Sequence, residues 1–508
     1  MLLSEASPTP MKVTITKNRP SSFGVRDASQ SCPTCSLSWF HPFKLGDATE
    51  PLMNRQIPTA KNSRRQFLQQ ASALAIAGAA PYVVPASVFG AAAPSNRVTL
   101  AAIGVGNQGA LILERFLKLS GCQVIAVCDV NRGSHGYKDD SQFLGREPAK
   151  AMVEAHYAKQ KNGASDFKGC DAYSDFREVL ARDDVDAVTV VTPDHWHAPI
   201  TIAAAAAKKH IYCEKPLGLT IGDGQAMIAA VRKHDVVLQT GSHERSNPIV
   251  RLACELVRNG YIGDVKSVLT NVGFHNKVGP GPGWQPMPVP EGFDYEMWLG
   301  PAPEAPYHAD RCLYRFRFNY DYAGGQVANF GAHSNDMAQW ALGMDNSGPV
   351  EIECLAAKFL PEGSLFNAAT ETKIRYRYAN GVELVCQTAE PSVRAVFEGS
   401  EGRVEIENQG KNFKTEPASL ATKELRDDEL LAKSDDHQQN FLDCIKSGQE
   451  PAAPVEVGHR SATVCHLGNI AVRMNAKSLK WDPAKEQFIG NDEADSYINR
   501  EMRGPWQI

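Results

Sequence analysis

Residues 97–130 read RVTLAAIGVGNQGALILERFLKLSGCQVIAVCDV. Val98, Leu100 and Ile103 mark a short apolar run suited to a strand buried on both faces. The run ends in Gly104-Val105-Gly106-Asn107-Gln108-Gly109, a G-x-G-x-x-G. From Ala110 to Leu119 the apolar residues Leu111, Ile112, Phe116 and Leu119 fall at helical spacing, and Val124–Val127 reads as a second buried strand closed by Cys128-Asp129. In such a unit the first glycine permits the tight turn and the second lets backbone approach a pyrophosphate. The third lets helix and strand pack closely, and the helix N-terminus, with Asn107 and Gln108, faces the phosphates. Asp129 lies 20 residues past Gly109, where a carboxylate can accept the ribose 2′-hydroxyl, which favours NAD. Asn131 and Arg132 follow at once, and an arginine there could accommodate a 2′-phosphate, so NADP stays open. A glycine turn alone is weak evidence. Strand, helix, second strand and acid together predict a dinucleotide-binding, Rossmann-type doubly wound parallel sheet.

The 508 residues are 43% hydrophobic with a net charge of −5, which describes a globular chain with room for two or more domains. No basic stripe points to nucleic acid. The twelve cysteines are scattered, without a paired C-x-x-C set or a recurring Cys/His cluster, so no metal is expected. The single C-x-x-C, Cys32 to Cys35, lies upstream of the segment described next.

Residues 1–62 mix proline, serine, threonine and charges without periodicity, the composition of a disordered extension. Residues 63–93 begin Ser63-Arg64-Arg65-Gln66-Phe67-Leu68, and no charged residue occurs from Gln66 to Asn96. An arginine pair before a modest, alanine-rich apolar run resembles a twin-arginine export signal. Pro81 interrupts the run too early for a stable membrane span. The expectation is therefore a periplasmic or secreted protein. That route carries folded proteins, so a nicotinamide cofactor would be bound before export and kept, and disulfides become less expected.

The first domain continues to 242. The spacing predicts a helix over Pro148–Lys159, a short helix at Phe176–Leu180 and a buried strand from Ala187 to Val191. That strand ends in Thr192-Pro193-Asp194-His195-Trp196-His197. Ligands in such sheets sit at the carboxyl ends of strands, which sets Thr192, Pro193, Asp194 and His197 beside the cofactor. A helix at Ile200–Lys208 leads to strand Ile211–Cys213 and then Glu214-Lys215-Pro216. An isolated Glu-Lys pair is ordinarily a solvated surface, but the end of a strand in this sheet is a poor place for one.

GVGNQG at 104–109, TPDHWH at 192–197, CEKPLG at 213–218 and GSHERS at 241–246 resemble, in order and spacing, the glucose-fructose oxidoreductase/inositol dehydrogenase (Gfo/Idh/MocA) family. GGQVANFGAHSNDMAQWALG at 324–343 resembles its second active-site segment, and WLGPAPEAPYHADR at 298–311 looks like its exported bacterial branch. The resemblance implies a Rossmann domain followed by an α+β domain with an open, mostly antiparallel sheet, over residues 243–480. It implies that Glu214 and Lys215 lie at the cofactor, with Lys215 between nicotinamide and substrate. It implies a catalytic role for His333, which would take the substrate hydroxyl proton, and for Asp336, three residues on and so on the same helical face. Asn329 stands where the family usually has aspartate. An amide cannot supply the charge that raises a histidine's basicity, so a carboxylate elsewhere (Asp310, Asp321 or Asp336) would have to compensate.

In the second domain His243 and Arg245 follow a strand end and are expected to face the substrate. Residues 274–325 read as a long loop rich in proline and aromatic residues, among them Trp284, whose face could stack on a sugar ring. Thr370–Tyr378 and Val382–Cys386 alternate around Asn380-Gly381, a hairpin signal. Asp435 or Asp436 can cap a helix ending at Ser447-Gly448, and Gly458–Met474 reads as the last helix before an arm over 481–508. By resemblance the sheet joins copies into a homo-oligomer. The expected function is NAD(P)-dependent oxidation or reduction of a hydroxyl on a sugar, sugar derivative or polyol, with the cofactor tightly held. Two alternatives are an NAD-dependent glycoside hydrolase working through transient sugar oxidation and a non-catalytic cofactor-binding protein.

Overall fold

The structure is a computed structural model and describes residues 96–160, 169–275, 279–407 and 410–507. The N-terminal extension, the arginine pair and the Cys32/Cys35 pair lie outside the described residues. Six parallel strands form the first sheet: β1 (Val98–Ile103), β2 (Cys122–Cys128), β3 (Asp171–Tyr173), β4 (Ala187–Val190), β5 (His210–Cys213) and β6 (Leu238–Thr240). Their spatial order is β3-β2-β1-β4-β5-β6, the doubly wound arrangement with its switch point between β1 and β4. β1, β2 and β4 are almost wholly apolar and buried, because helices cover both faces. The helix Asn107–Leu117 buries Ile112, Leu113, Phe116 and Leu117 against the sheet, and Leu111 is left at the surface. The three-residue β3 has too little apolar periodicity to be read from sequence.

The second sheet has nine strands. They are β7 (Val265–Asn271), β8 (Glu351–Lys358), β9 (Glu371–Arg377), β10 (Glu383–Gln387), β11 (Arg394–Gly399), β12 (Arg403–Glu407), β13 (Asn412–Glu416), β14 (Leu479–Asp482) and β15 (Gln487–Phe488). Their order is β13-β12-β11-β7-β10-β9-β8-β14-β15. Every pairing is antiparallel except β7 with β10. Asn380-Gly381 closes the β9–β10 hairpin, with Gly381 at φ +87°. One face packs on the helices Pro248–Arg258, Gly331–Ala341 and Val455–Arg473 through a core that includes Val250, Met337, Ile374, Tyr376 and Leu467. The other carries charged pairs such as Arg377–Glu351 and Arg394–Glu405.

Local end signals hold. Asp436 caps the helix His437–Ser447 through the Gln439 amide, and Gly448 ends it at φ +69°. The loop after β7 contains a short helix, Tyr295–Leu299, and Phe293, Trp298, Tyr307 and Tyr322 bury together as a satellite core. Residues 481–507 differ from the expected arm. Trp481 is buried in β14, which pairs with β8, and the Gly222 amide donates to the Ile498 carbonyl. Trp506 packs edge-on against Trp196, with ring centroids 4.8 Å apart. Large apolar side chains draw the segment down, which polar composition alone does not convey. The cysteines among the described residues are free and buried, and no helix among these residues is long and apolar enough to cross a membrane.

Candidate active site

The glycine turn is dictated by space. Gly104 has φ +81°, and a Cβ there would lie 2.6 Å from the Val191 carbonyl carbon, where β4 passes β1. A Cβ on Gly109 would lie 2.0 Å from the Gly104 oxygen, so only glycine lets the helix seat this deeply on the turn. The helix starting at Asn107 has no side-chain cap, and Gly106, Asn107 and Gln108 line the cleft above it. Its first amides are thus open to an anion. Asp129 lies in the cleft wall and accepts the Val105 and Asn131 amides, each at 2.8 Å. Burial pushes its carboxyl up, while these two amides and Arg146 hold it down. A carboxylate has about four acceptor positions, so capacity for a ribose hydroxyl remains.

Thr192, Pro193, Asp194, His197, Glu214, Lys215 and Pro216 line the same cleft. His197 braces it, with Nδ1 and Nε2 each 2.9 Å from the carbonyl oxygens of Pro216 and Thr192. The buried Thr192 hydroxyl has no hydrogen-bond partner. Gln108 Nε2 donates to Glu214 at 3.4 Å, tying the glycine turn to the end of β5. Lys215 Nζ donates to the Asn329 carbonyl at 2.8 Å and lies 3.4 Å from its Oδ1. Burial lowers the Lys215 amine's pKa, and the Glu214 and Asp194 carboxylates oppose that shift. Burial raises Asp194 to about 7 against the pull of Lys215 and Arg317.

Beside Lys215 sit His243, Glu244 and His333, all within reach of its charge. His243 Nε2 is 3.5 Å and His333 Nδ1 3.7 Å from Glu244 Oε1. Burial pushes both imidazoles down, His243 to about 4, and raises the Glu244 carboxyl to about 7 with Asp336 adding to the rise. Glu244 is therefore the carboxylate next to His333.

Several residues stand elsewhere than the sequence reading placed them. Asn329 donates from Nδ2 to Gln326 Oε1 at 3.0 Å and faces Lys215 instead of orienting His333. Asp336, three residues past His333 on the same helix, takes other partners than the cluster. It accepts from Arg245 and Ser461 in a buried network, which makes it a counter-ion. Arg245 is 3% exposed and directs its Nε and Nη2 donors to Asp336 and Asp345, a buried ion-pair network. Asn131 is buried behind the cleft wall, where its amide donates to Ser134, Tyr137 and Leu144. Arg132 is exposed, and its amide donates to the Gly292 carbonyl, away from the cleft lining. Trp284 packs under Arg311 and against His308 outside that lining. Of the proposed compensators, Asp310 pairs with Arg315 and His308. His195 is buried with Nε2 2.9 Å from the Trp298 carbonyl, a packing role.

The sequence reading missed Glu244 and Tyr137, and it weighed Trp298, Tyr314 and Arg317 as loop residues more apt to pack than to bind. The last four line the cleft. Glu244 lay between two singled-out neighbours at a strand end, and that position was the available signal. The others come from loops whose return to the cleft has no periodic signature.

Residues 98–242 match the NAD-binding Rossmann fold of the Gfo/Idh/MocA oxidoreductase family, and residues 250–508 match that family's C-terminal alpha/beta domain. Levoglucosan dehydrogenase of Pseudarthrobacter phenanthrenivorans is 37% identical over 118 residues, 23% of this chain and 30% of that protein. A glycosyl hydrolase family 109 protein of Saccharopolyspora erythraea is 32% identical over 196 residues, 37% of this chain and 38% of that protein. The chain thus spans less than half the length of either relative. The structure of WlbA dehydrogenase from Bordetella pertussis, in complex with NADH and UDP-GlcNAcA, superposes with a TM-score of 0.53 at 17% identity, covering 76% of this chain and 99% of that one. At that identity the likeness is one of fold. Matched in order along both halves, the chain belongs to the Gfo/Idh/MocA family of NAD-binding oxidoreductases.

Proposed function

We propose that the protein oxidises or reduces a hydroxyl-bearing carbon of a sugar, sugar derivative or polyol with a tightly held NAD. The observation that carries this reading is Lys215, a half-buried amine lining the same cleft as the glycine turn. NAD supplies hydride acceptance or donation when bound. The helix N-terminus and Asp129 hold its phosphates and ribose. Burial pushes the Lys215 amine down from its ordinary value, which suits its nitrogen to take a hydroxyl proton and return it in the reverse direction. His333, buried beside it with its imidazole pushed toward the neutral form, is the second group able to do so.

The test is twofold. Mass spectrometry of denatured protein, purified without added nucleotide, should release one NAD per chain. Lys215→Ala should keep that nucleotide and lose about 10²–10⁴ of the turnover on a sugar that the parent oxidises. An empty parent protein, or near-parental turnover in the variant, overturns the reading. The likeness to a glycosyl hydrolase family 109 protein favours a second reading, glycosidic cleavage through transient oxidation, which released aglycone would reveal.

We also infer export, from the arginine pair. Arg64→Lys with Arg65→Lys should leave the protein in the cytoplasm, and unchanged export would contradict the signal. A homo-oligomer joined through the open face of the nine-stranded sheet completes the reading, and light scattering at the monomer mass would exclude it.

A further inference from the structure

Three side chains beside Lys215 carry more than the proton transfer needs. The ligating atoms of His243, Glu244 and His333 all lie within 4.8 Å of one another. The two rings approach edge to face, 5.0 Å between centroids and 70° between planes. Glu244 is 1% and His333 4% exposed, yet both carboxylate oxygens and His333 Nδ1 lack any hydrogen-bond partner among the described residues. Buried polar atoms are almost always satisfied, and an unpaired buried carboxylate is among the costliest groups to leave alone. The neighbouring cations do not reach it: Arg245 is committed to Asp336 and Asp345, and Lys215 to Asn329.

The two nitrogen–oxygen spacings fit a bound ion. At 3.5 and 3.7 Å, the nitrogen–oxygen gaps are too long for good hydrogen bonds. Two ligands about 2.1 Å from an ion stand about 3.4 Å apart at the tetrahedral angle and about 3.0 Å at the octahedral one. Two imidazoles and one carboxylate form a ligand set that takes zinc, cobalt or iron and keeps positions open. The His243 side chain, 25% exposed, leaves a route for entry. We propose that His243, Glu244 and His333 bind one divalent first-row transition metal ion. An open coordination position would take an oxygen of the substrate. Resting on the sugar-oxidation reading, the ion would then acidify that hydroxyl. With Nδ1 of His333 occupied, Lys215 receives the proton: the O–H bond breaks and an N–H bond forms on the amine.

Full-length protein stripped with a chelator and desalted should be titrated with Co²⁺ by visible absorbance and with Zn²⁺ by equilibrium dialysis and elemental analysis. The expected result is one ion per chain, with a d–d spectrum for Co²⁺. His243→Ala and Glu244→Gln should each weaken binding by about tenfold or more, with circular dichroism unchanged. Glu244→Gln removes an unpaired buried charge, so it is the variant least exposed to misfolding. Failure of the parent protein to bind stoichiometrically with the ion in large excess overturns the proposal. So does equal affinity in both variants, which would mean the ion binds elsewhere. Nucleotide content and chelator-treated turnover separate the two readings. Chelator-resistant sugar oxidation sinks the metal alone, while a bound ion without any sugar oxidation sinks the redox reading alone.

Discussion

The amine of Lys215 donates to the main-chain carbonyl of Asn329 at 2.8 Å, and the Asn329 amide oxygen stands 3.4 Å away. Residue 329 therefore acts on the lysine, and the carboxylate beside His333 is Glu244. The missing aspartate does not leave the histidine without a carboxylate neighbour. It leaves the lysine with a neutral partner, which favours the uncharged amine that proton acceptance requires.

Asn329→Asp is accordingly expected to hold Lys215 as an ammonium. A carboxylate at this distance raises an amine's pKa by about 1–3 units. The limb of the kcat/KM profile that reports Lys215 should move up by that amount, with less activity near neutrality in the oxidative direction. A profile unchanged on both limbs would show that residue 329 does not act through Lys215.

Gly109→Ala should cost nucleotide before it costs fold. Its methyl would overlap the Gly104 oxygen, so helix and turn must separate. Overpacking of this kind costs about 1–3 kcal/mol. Retained nucleotide, read by absorbance of the denatured supernatant, should fall sharply, with a moderate loss in thermal midpoint. Full nucleotide content would refute the close-packing account.

Arg245→Leu tests whether that arginine is structural. Removing one member of a buried pair leaves Asp336 uncompensated, which costs about 3–5 kcal/mol. Arg245→Leu combined with Asp336→Leu should recover part of the loss, because the charges leave together. A stable single variant with a raised KM for substrate would instead place Arg245 at the substrate.

Acid stability should depend on Glu486. Burial raises this carboxyl, but its contacts with His459, Gln225 and Arg460 outweigh burial and hold it at about 2. With the folded pKa below the ordinary 4.5, the stabilisation is fully present above that value and is lost as pH falls toward 2. Its size is about 3 kcal/mol at most. Glu486→Gln should lower stability at neutral pH and flatten the loss between those limits, as followed by urea midpoints. Parallel pH curves for the two proteins would remove Glu486 from the account.

The sequence by itself determined the parts that depend on neighbours along the chain. Gly104 and Gly109 are required by the sterics of one turn, the helix after them by its apolar spacing, and Asp436 and Gly448 by the unsatisfied ends of one helix. These are short-range rules, so β1 to β2, the β9–β10 hairpin and the cleft-facing 192–197 and 214–216 segments were legible. Only the tertiary structure decided which charged groups meet. Lys215 and Asn329 are 114 residues apart, and Arg245 and Asp336 are 91 apart. Within Gly241–Ser246 a step of one residue separates Glu244, turned to His333, from Arg245, turned to a buried aspartate. Both are polar residues at a strand end, with the same local signal. Their roles part because the helix Gly331–Ala341 brings up His333 against Glu244 and Asp336 against Arg245, and burial makes each charge seek the partner that it meets.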